Sequence, residues 1–187
     1  MPTNAQQSLL STSQCLEFDQ MLPNGRFSVS TAAEKDLPFL AKMTAGHIPS
    51  LQGTYQGLER VQRQSRSVLA VRSSNELIGC FAALLLNNGG FDHLLRGSLS
   101  IACPSPSCLA WPGETPAAIY VWALCIPGLA VGAAGNIMQW LRQETYARAD
   151  LYASPSTPKG KAFMIRGGFK PLEDFAVHSL WVYRRSG

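Results

Sequence analysis

No long run of positive charge occurs in this sequence. Its 16 lysines and arginines exceed its 12 acidic residues, but the positive residues are scattered along the chain. The densest group is Arg60, Arg63 and Arg66 on one predicted helix, and a basic helix face is usually only a solvated one. The charge pattern therefore gives little support for nucleic acid as a partner.

The sequence also lacks an export signal and an uninterrupted apolar span. Residues 1–14 are polar, without the basic start and apolar middle of a signal peptide, and we expect residues 1–24 to form a flexible tail. The stretch 116–135 is about as long as a membrane span, but Pro127 and Gly128 interrupt it and small residues follow. We therefore expect no membrane span.

The five cysteines do not form an obvious set of pairs. Their number is odd, and Cys80 and Cys125 lie in apolar, strand-like runs, where a thiol behaves as a small core residue. Cys103 and Cys108 flank a PSPS segment, but no histidine or second cysteine pair lies nearby to complete four metal ligands. The pattern predicts no metal site and favours a reducing, cytoplasmic setting.

The sequence does contain enough apolar residues for one core. A chain of 187 residues with 46% apolar content suits a single globular domain, which we place at 25–187. Residues 87–115 are rich in asparagine, glycine, serine and proline, and they are long for a connection in a compact domain. We expect a long insertion there that covers or lines a site.

Hydrophobic periodicity predicts alternating strands and helices. The pattern Thr31-Ala-Ala-Glu34 resembles a capping box for a helix that ends near Gly46, although Pro38 favours a start nearer Asp36. Thr157 is a predicted helix cap with Pro158 in the first turn. The other predicted elements are strands at 27–31, 68–72, 77–86, 150–153 and 175–185, and helices at 55–64, at 158–166, and from the glycine-bearing turn to Arg148. This order predicts a mixed α/β domain.

The most informative stretch is AAIYVWALCIPGLAVGAAG, residues 117–135. It reads as a buried strand that breaks at Pro127-Gly128 and continues into a small-residue turn opening a helix. A helix start has unpaired N–H groups and a positive dipole end, and small residues let a phosphate approach them. The stretch therefore predicts a site for a phosphate-bearing cofactor.

The second half of the chain resembles the GNAT superfamily of acyl-CoA-dependent N-acyltransferases. The parts that carry the resemblance are IYVWALCIP, GLAVGAAGN, DLYASP, TPKGKAFMIRG and Gly168-Phe169, in that order. The resemblance implies an α/β fold with a GNAT-like mixed central sheet flanked by helices on both faces. It also implies acetyl-CoA or another acyl-CoA as the cofactor.

The family's pyrophosphate loop has the pattern Gln/Arg-x-x-Gly-x-Gly/Ala, and this chain offers two registers, one starting at Leu129 and one at Ala130. Because backbone N–H groups hold most of the phosphate, small residues serve in either register. The alternative is that these residues only let the helix pack tightly on the sheet. The cofactor contacts implied are Leu124, Cys125, Ile126, Leu129, Ala130, Val131, Gly132, Ala133, Ala134, Gly135 and Asn136.

The resemblance further implies that an amine attacks the thioester carbonyl, with a backbone N–H near 124–126 as oxyanion donor. Many family members place a tyrosine acid four residues before the glycine of Gly-Phe, but this chain has Met164 there. We name Tyr120 and Ser154 as catalytic candidates, Ser154 as the holder of a proton-carrying water. His178 is either a base or a sheet residue, and Cys125 is either acylated or simply packed.

These inferences give two hypotheses. The first is an acyl-CoA-dependent N-acyltransferase, with acetyl as the favoured group, that acts on a small-molecule or peptide amine by direct attack in a ternary complex. The second is a catalytically silent acyl-CoA-binding or interaction domain of the same fold. A homodimer is left open by the sequence.

Overall fold

The computed structural model describes residues 21–48, 55–126, 132–173 and 179–185, and its centre is a seven-stranded mixed sheet. Across the sheet the strand order is β1-β2-β3-β4-β5-β7-β6, and every neighbouring pair is antiparallel except β4 with β5. The strands are β1 (Phe27–Thr31), β2 (Val68–Ser73), β3 (Glu76–Leu86), β4 (Ala118–Cys125), β5 (Leu151–Ala153), β6 (Lys170–Pro171) and β7 (Trp181–Tyr183). The predicted mixed α/β sheet is confirmed.

Helices cover both faces of this sheet. They are α1 (Leu37–His47), α2 (Tyr55–Ser65), α3 (Asn88–Leu95), α4 (Ala134–Leu141) and α5 (Pro158–Arg166). Leu40 of α1, Leu58 of α2 and Leu94 of α3 belong to the core on one face. Met138 of α4 and Met164 of α5 belong to the core on the other face. The two faces are called the α1–α3 face and the α4–α5 face below.

Strands β2 and β3 form the hairpin that the sequence predicts. Ser74 and Asn75 at its turn have positive φ angles of 48° and 73°, the conformation that two-residue hairpins need. From Gly79 to Leu86 every residue of β3 is buried, because successive side chains enter the α1–α3 core and the α4–α5 core in alternation. This double burial explains the apolar run that predicted a central strand.

The start of α1 corrects one detail of the sequence analysis. Thr31 is still paired with Leu69 in the sheet, so it does not cap a helix, and the predicted capping box with Glu34 is wrong. Instead, the carboxylate of Asp36 accepts a hydrogen bond from the Ala33 N–H at 3.2 Å, across a short 3₁₀ turn. The helix then begins at Leu37 with a proline in its first turn, close to the later of the two predicted starts.

The segment 87–115 is not a plain loop, because it contains α3 and a second 3₁₀ turn, Pro106–Cys108. The Asn87 side chain accepts a hydrogen bond from the Gly90 N–H at 2.9 Å and so caps α3. Phe91 on this helix packs against the Tyr152 ring, with 5.1 Å between ring centroids. Trp111, in contrast, is 70% exposed.

Helix α4 is shorter than the predicted helix to Arg148, and it ends at Leu141. The Arg185 guanidinium donates hydrogen bonds to the carbonyl oxygens of Leu141 and Tyr146, both at 2.9 Å. A cationic side chain at the end of a helix can donate hydrogen bonds to the last carbonyl oxygens, which would otherwise need a further helical turn as their partner. The chain therefore turns after Leu141, and the ring of Tyr146 folds back onto Trp140.

The end of the chain also departs from the prediction. Helix α5 is confirmed, with the Thr157 hydroxyl accepting a hydrogen bond from the Gly160 N–H at 3.0 Å. The predicted strand 175–185 is a shorter strand, β7, which lies between β5 and β6. The part of that prediction at 175–178, including His178, lies outside the described residues.

Candidate functional site

Strands β4 and β5 run side by side for three residue pairs only, and the last pair is Val121 with Ala153. β4 then continues to Cys125 with no partner on that side among the described residues. The register between β3 and β4 shifts at the same level, so that Trp122 is an extra residue between the pairs that Val121 and Ala123 make. A bulge of this kind bends the strand and re-aims its backbone groups. The two parallel strands therefore leave an opening beside the second half of β4.

Tyr120 and Ser154, the two predicted catalytic residues, lie together at the start of this opening. Tyr120 is on β4 directly opposite Tyr152, and Ser154 follows the last residue of β5. Burial raises the pKa of Tyr120, while a side-chain hydrogen bond with Ser154 acts in the opposite direction. A tyrosine phenol is protonated at neutral pH with or without this shift, and Ser154 lies beside it at the half-buried end of β5.

The predicted contacts at the end of β4 alternate between the two faces. Leu124 is partly buried against the α4–α5 core, and Ile126 packs in the same place. Cys125 points to the α1–α3 core, where it lies opposite Cys80 of β3. Because this end of β4 has no described neighbour on the β5 side, its backbone N–H groups there are candidates for holding a bound carbonyl oxygen.

Trp122 is a feature of this region that the sequence analysis missed. Its side chain is 5% exposed on the α1–α3 face, and its indole N–H has no hydrogen-bond partner among the described residues. Buried N–H groups are nearly always paired, so an unpaired one calls for an explanation. It lies at the bulge, two residues beyond Tyr120. The apolar strand pattern around Trp122 contained no sign that the indole would be left without an acceptor.

The predicted pyrophosphate loop is described only in part. Leu129, Ala130 and Val131 lie outside the described residues, whereas residues 132–136 form the approach to α4 and its first turn. A side-chain carbon at Gly132 would come 2.7 Å from Nδ2 of Asn24. One at Gly135 would overlap the carbonyl oxygen of Leu22. The small residues therefore make room for the chain's own segment 21–24.

Asn136 holds this segment with its side chain. Its Oδ1 accepts a hydrogen bond from the Asn24 N–H at 2.8 Å, and its Nδ2 donates to the carbonyl oxygens of Asn24 and Phe27 at 3.3 and 3.1 Å. The Arg142 guanidinium also donates to the Met21 carbonyl oxygen at 3.0 Å. Residues 21–24, which the sequence placed at the end of a flexible tail, are thus bound to α4, by Asn136 in its first turn and by Arg142 at its end. The Asn136 amide is already engaged, so it offers a cofactor only its backbone.

The contact with segment 21–24 bears on the alternative explanation of the small residues, namely that they only let α4 pack tightly. Tight packing was expected between α4 and the sheet, but the close approach at Gly132 and Gly135 is made by residues 22–24. Ala133 and Ala134 are buried beside them. Part of the small-residue pattern is therefore explained by contacts within the chain, and only the remaining backbone N–H groups are left for a phosphate.

Met164, which stands where the family usually has its tyrosine acid, is 7% exposed in the α4–α5 core. It packs as an apolar side chain and has no acidic function. The two arginines of the basic group that lie on α2 are also engaged within the chain: Arg63 pairs with Glu59 at 2.8 Å, and Arg60 donates to the Pro104 carbonyl oxygen at 3.1 Å. Neither feature adds a further titratable group to the opening.

The part of the chain that the structure describes contains neither a membrane-spanning helix nor a metal-binding cluster. No helix there is both long and apolar enough to cross a bilayer. No cluster of three histidine, cysteine or acidic side chains is arranged there to hold a metal ion.

Comparison with solved structures shows the fold of this chain. The loading GNATL domain of CurA from Lyngbya majuscula superimposes with a TM-score of 0.58 at 13% identity, over 84% of this chain and 97% of that domain. PH1933 from Pyrococcus horikoshii OT3 superimposes with a TM-score of 0.53 at 10% identity, over 86% and 99%. The chain has the GNAT fold, as the sequence motifs implied.

The sequence comparisons gave no such match. No protein-family model matches the chain, and no curated protein matches it.

A further solved structure, the GphF GNAT-like decarboxylase in complex with isobutyryl-CoA, is similar with a TM-score of 0.45 at 13% identity, over 72% of this chain and 70% of that one.

Proposed function

We propose that this protein is an acyl-CoA-dependent N-acyltransferase that moves an acyl group, with acetyl favoured, from the CoA thioester to an amine. The observation that carries the proposal is the opening beside the part of β4 that extends beyond β5. Tyr120 and Ser154 lie at the start of this opening. The GNAT fold supports this proposal, because the family that the sequence resembles has this fold and uses acyl-CoA. Acetyl-CoA or another acyl-CoA is the proposed cofactor.

The opening has features that fit a bound thioester. The backbone of Leu124, Cys125 and Ile126 lies along an edge with no described strand beside it, which suits hydrogen bonds to an acyl carbonyl oxygen. The first turn of α4, with its free N–H groups and dipole end, suits a pyrophosphate. The buried Trp122 N–H, which has no partner in the described part of the chain, is a further candidate donor on the α1–α3 face. When bound, acyl-CoA supplies a carbonyl carbon activated by its thioester.

The chain's own residues have three tasks in this proposal. The end of β4 orients the carbonyl and stabilises negative charge on its oxygen. The Tyr120 phenol, protonated at neutral pH, is the proposed proton donor, and Ser154 orients it or holds a water that relays the proton. Direct attack in a ternary complex then depends mainly on positioning the amine.

A silent acyl-CoA-binding domain of the same fold is the second candidate, and the buried Met164 favours it. The two candidates differ in turnover but share the binding site. The acceptor class we propose is a small-molecule or peptide amine, and we propose a cytoplasmic location because the four described cysteines are free thiols. A homodimer remains an option, whereas nucleic acid is not proposed as a partner.

The experiment has two stages. First, thermal stability is measured with increasing acetyl-CoA and longer acyl-CoAs, and a ligand at 100 times its dissociation constant is expected to add about 2.7 kcal/mol. Second, release of free CoA thiol is measured with a panel of amines. Binding with amine-dependent thiol release supports the transferase; binding without it for any amine supports the silent domain. No shift with any acyl-CoA contradicts both.

A further inference from the structure

Two cysteines lie face to face at the end of the opening. Cys80 of β3 and Cys125 of β4 are direct partners in the antiparallel register, and both side chains point to the α1–α3 face. Cys80 is 1% exposed and Cys125 is 6% exposed. Cys125 is the last residue of β4 and therefore lies at the opening, whereas Cys80 lies in the core.

The backbones of β3 and β4 also approach closely at this point. Gly79 precedes Cys80, and a side-chain carbon there would come 2.5 Å from the carbonyl oxygen of Cys125. Facing residues of antiparallel strands have Cβ atoms about 4.5–5.5 Å apart. A disulfide requires about 3.5–4.5 Å. A decrease of about 1 Å in the distance between the two Cβ atoms therefore brings the pair into the range of a disulfide.

The two thiols differ in reactivity. The side-chain hydrogen bond from Cys80 lowers the pKa of Cys125, and this effect outweighs burial, which raises it. The same contact, followed by burial, raises the pKa of Cys80 well above its ordinary value. Cys125 is thus the more acidic and the more exposed thiol of the two. Of the two thiols, Cys125 is therefore the one assigned to attack, with Cys80 facing it as the resolving thiol.

We propose that Cys80 and Cys125 form a dithiol site that low-molecular-weight disulfides oxidise reversibly to a cross-strand disulfide. In the first step the Cys125 thiolate attacks one sulfur of the small disulfide. A mixed disulfide forms on Cys125, and the other half leaves as a thiolate that takes up the proton lost by Cys125.

In the second step the Cys80 sulfur attacks the Cys125 sulfur, and the Cys80–Cys125 bond forms. The second half of the small disulfide leaves as a thiolate and takes up the proton of Cys80. Two protein thiols are oxidised, and one small disulfide is reduced to two thiols. Once Cys125 is in the mixed disulfide it carries no negative charge, so only burial still opposes ionisation of Cys80.

The other described cysteines do not share this arrangement. Cys103 is half-buried and Cys108 is buried, and neither has a cysteine facing it in the sheet. The carbonyl oxygen of Cys108 instead accepts a hydrogen bond from the Asn87 N–H at 3.2 Å. These two residues supply matched controls for a thiol-exchange experiment.

The test treats the native full-length chain with glutathione disulfide and maps the products by mass spectrometry after digestion without reducing agent. Chymotrypsin is the suitable protease, because Tyr120 and Trp122 lie between Cys108 and Cys125, whereas no lysine or arginine does. We expect a Cys80–Cys125 cross-link that dithiothreitol reverses. Glutathione bound only at other cysteines, or a Cys103–Cys108 cross-link in its place, would overturn the proposal.

Two variants test the order of the steps. Cys80→Ala is expected to accumulate glutathione on Cys125, because the resolving thiol is gone. Cys125→Ser is expected to leave Cys80 unmodified, and the control Cys103→Ser is expected to form the cross-link as the unaltered chain does. Glutathione on Cys80 in Cys125→Ser, at the rate seen on Cys125 in Cys80→Ala, would refute the assigned roles. Mapping of the unaltered chain decides the cross-link itself even if a variant does not fold.

Discussion

Replacing Gly135 by alanine tests the contact between segment 21–24 and α4. The added carbon would overlap the Leu22 carbonyl oxygen and come 3.0 Å from the Pro23 nitrogen, and both are backbone atoms that move only with the segment. Overpacking of this kind typically costs about 1–3 kcal/mol. The alternative, displacement of the segment, gives up the two hydrogen bonds between Asn136 and Asn24 at about 0.5–1.5 kcal/mol each. Either route predicts a loss of about 1–3 kcal/mol.

The matched control is Gly46→Ala near the end of α1. An added carbon there meets nothing within 4 Å, so alanine is expected to be neutral or to stabilise the helix by up to about 1 kcal/mol. Urea unfolding of both variants measures the difference. Limited trypsin digestion at Arg26 provides a local readout and should be faster in Gly135→Ala. A Gly135→Ala chain as stable and as resistant at Arg26 as Gly46→Ala would refute the packing account.

Three further predictions follow from the same contacts. Tyr120→Phe should lower turnover by about 100-fold or more if the phenol is the proton donor, with acyl-CoA affinity unchanged in a titration; the control Tyr146→Phe should leave both unchanged. Tyr120 also predicts an alkaline effect, because its raised pKa gives stability that is complete below about pH 10 and is lost as pH rises through the folded value. Denaturant titrations above pH 10 should therefore show a smaller loss in Tyr120→Phe than in the unaltered chain. Asn136→Ala should cost about 1–3 kcal/mol in urea unfolding and speed cleavage at Arg26, and equal stability would contradict the assigned role.

Local sequence signals predicted much of the fold. β1 was predicted with the bounds that the structure has, because its pattern alternates. The turn at Ser74-Asn75 and the Thr157 cap followed from residues that favour those conformations by themselves. In each case the determining contacts lie within a few residues, which is where sequence patterns are informative.

The errors arose where distant contacts decide the structure. Helix α4 ends early because Arg185, 44 positions along the chain, donates to the Leu141 carbonyl oxygen. Segment 21–24 is held by a side chain 112 positions away from Asn24. No local pattern contains these two long-range contacts. Helix α3 was missed for a different, local reason: asparagine and glycine usually mark turns, whereas here Asn87 caps a helix.

The candidate site shows the same division. The sequence named Tyr120 and Ser154 as candidates, and the structure places them close together where β4 and β5 lie side by side. The facing of Cys80 with Cys125 depends on the β3–β4 register, and the lack of a partner for the Trp122 N–H among the described residues depends on the packing around it, so neither could be predicted from the sequence. Their catalytic and binding roles stay predictions.

Amine-dependent release of CoA thiol from a bound acyl-CoA tests the central claim most directly. The chain is mixed with acetyl-CoA at a concentration that saturates its thermal shift, and free thiol is followed with and without each amine. We predict release that depends on an amine and that falls by about 100-fold or more in Tyr120→Phe. A saturated complex that releases no thiol with any amine would contradict the transferase and leave the silent binding domain.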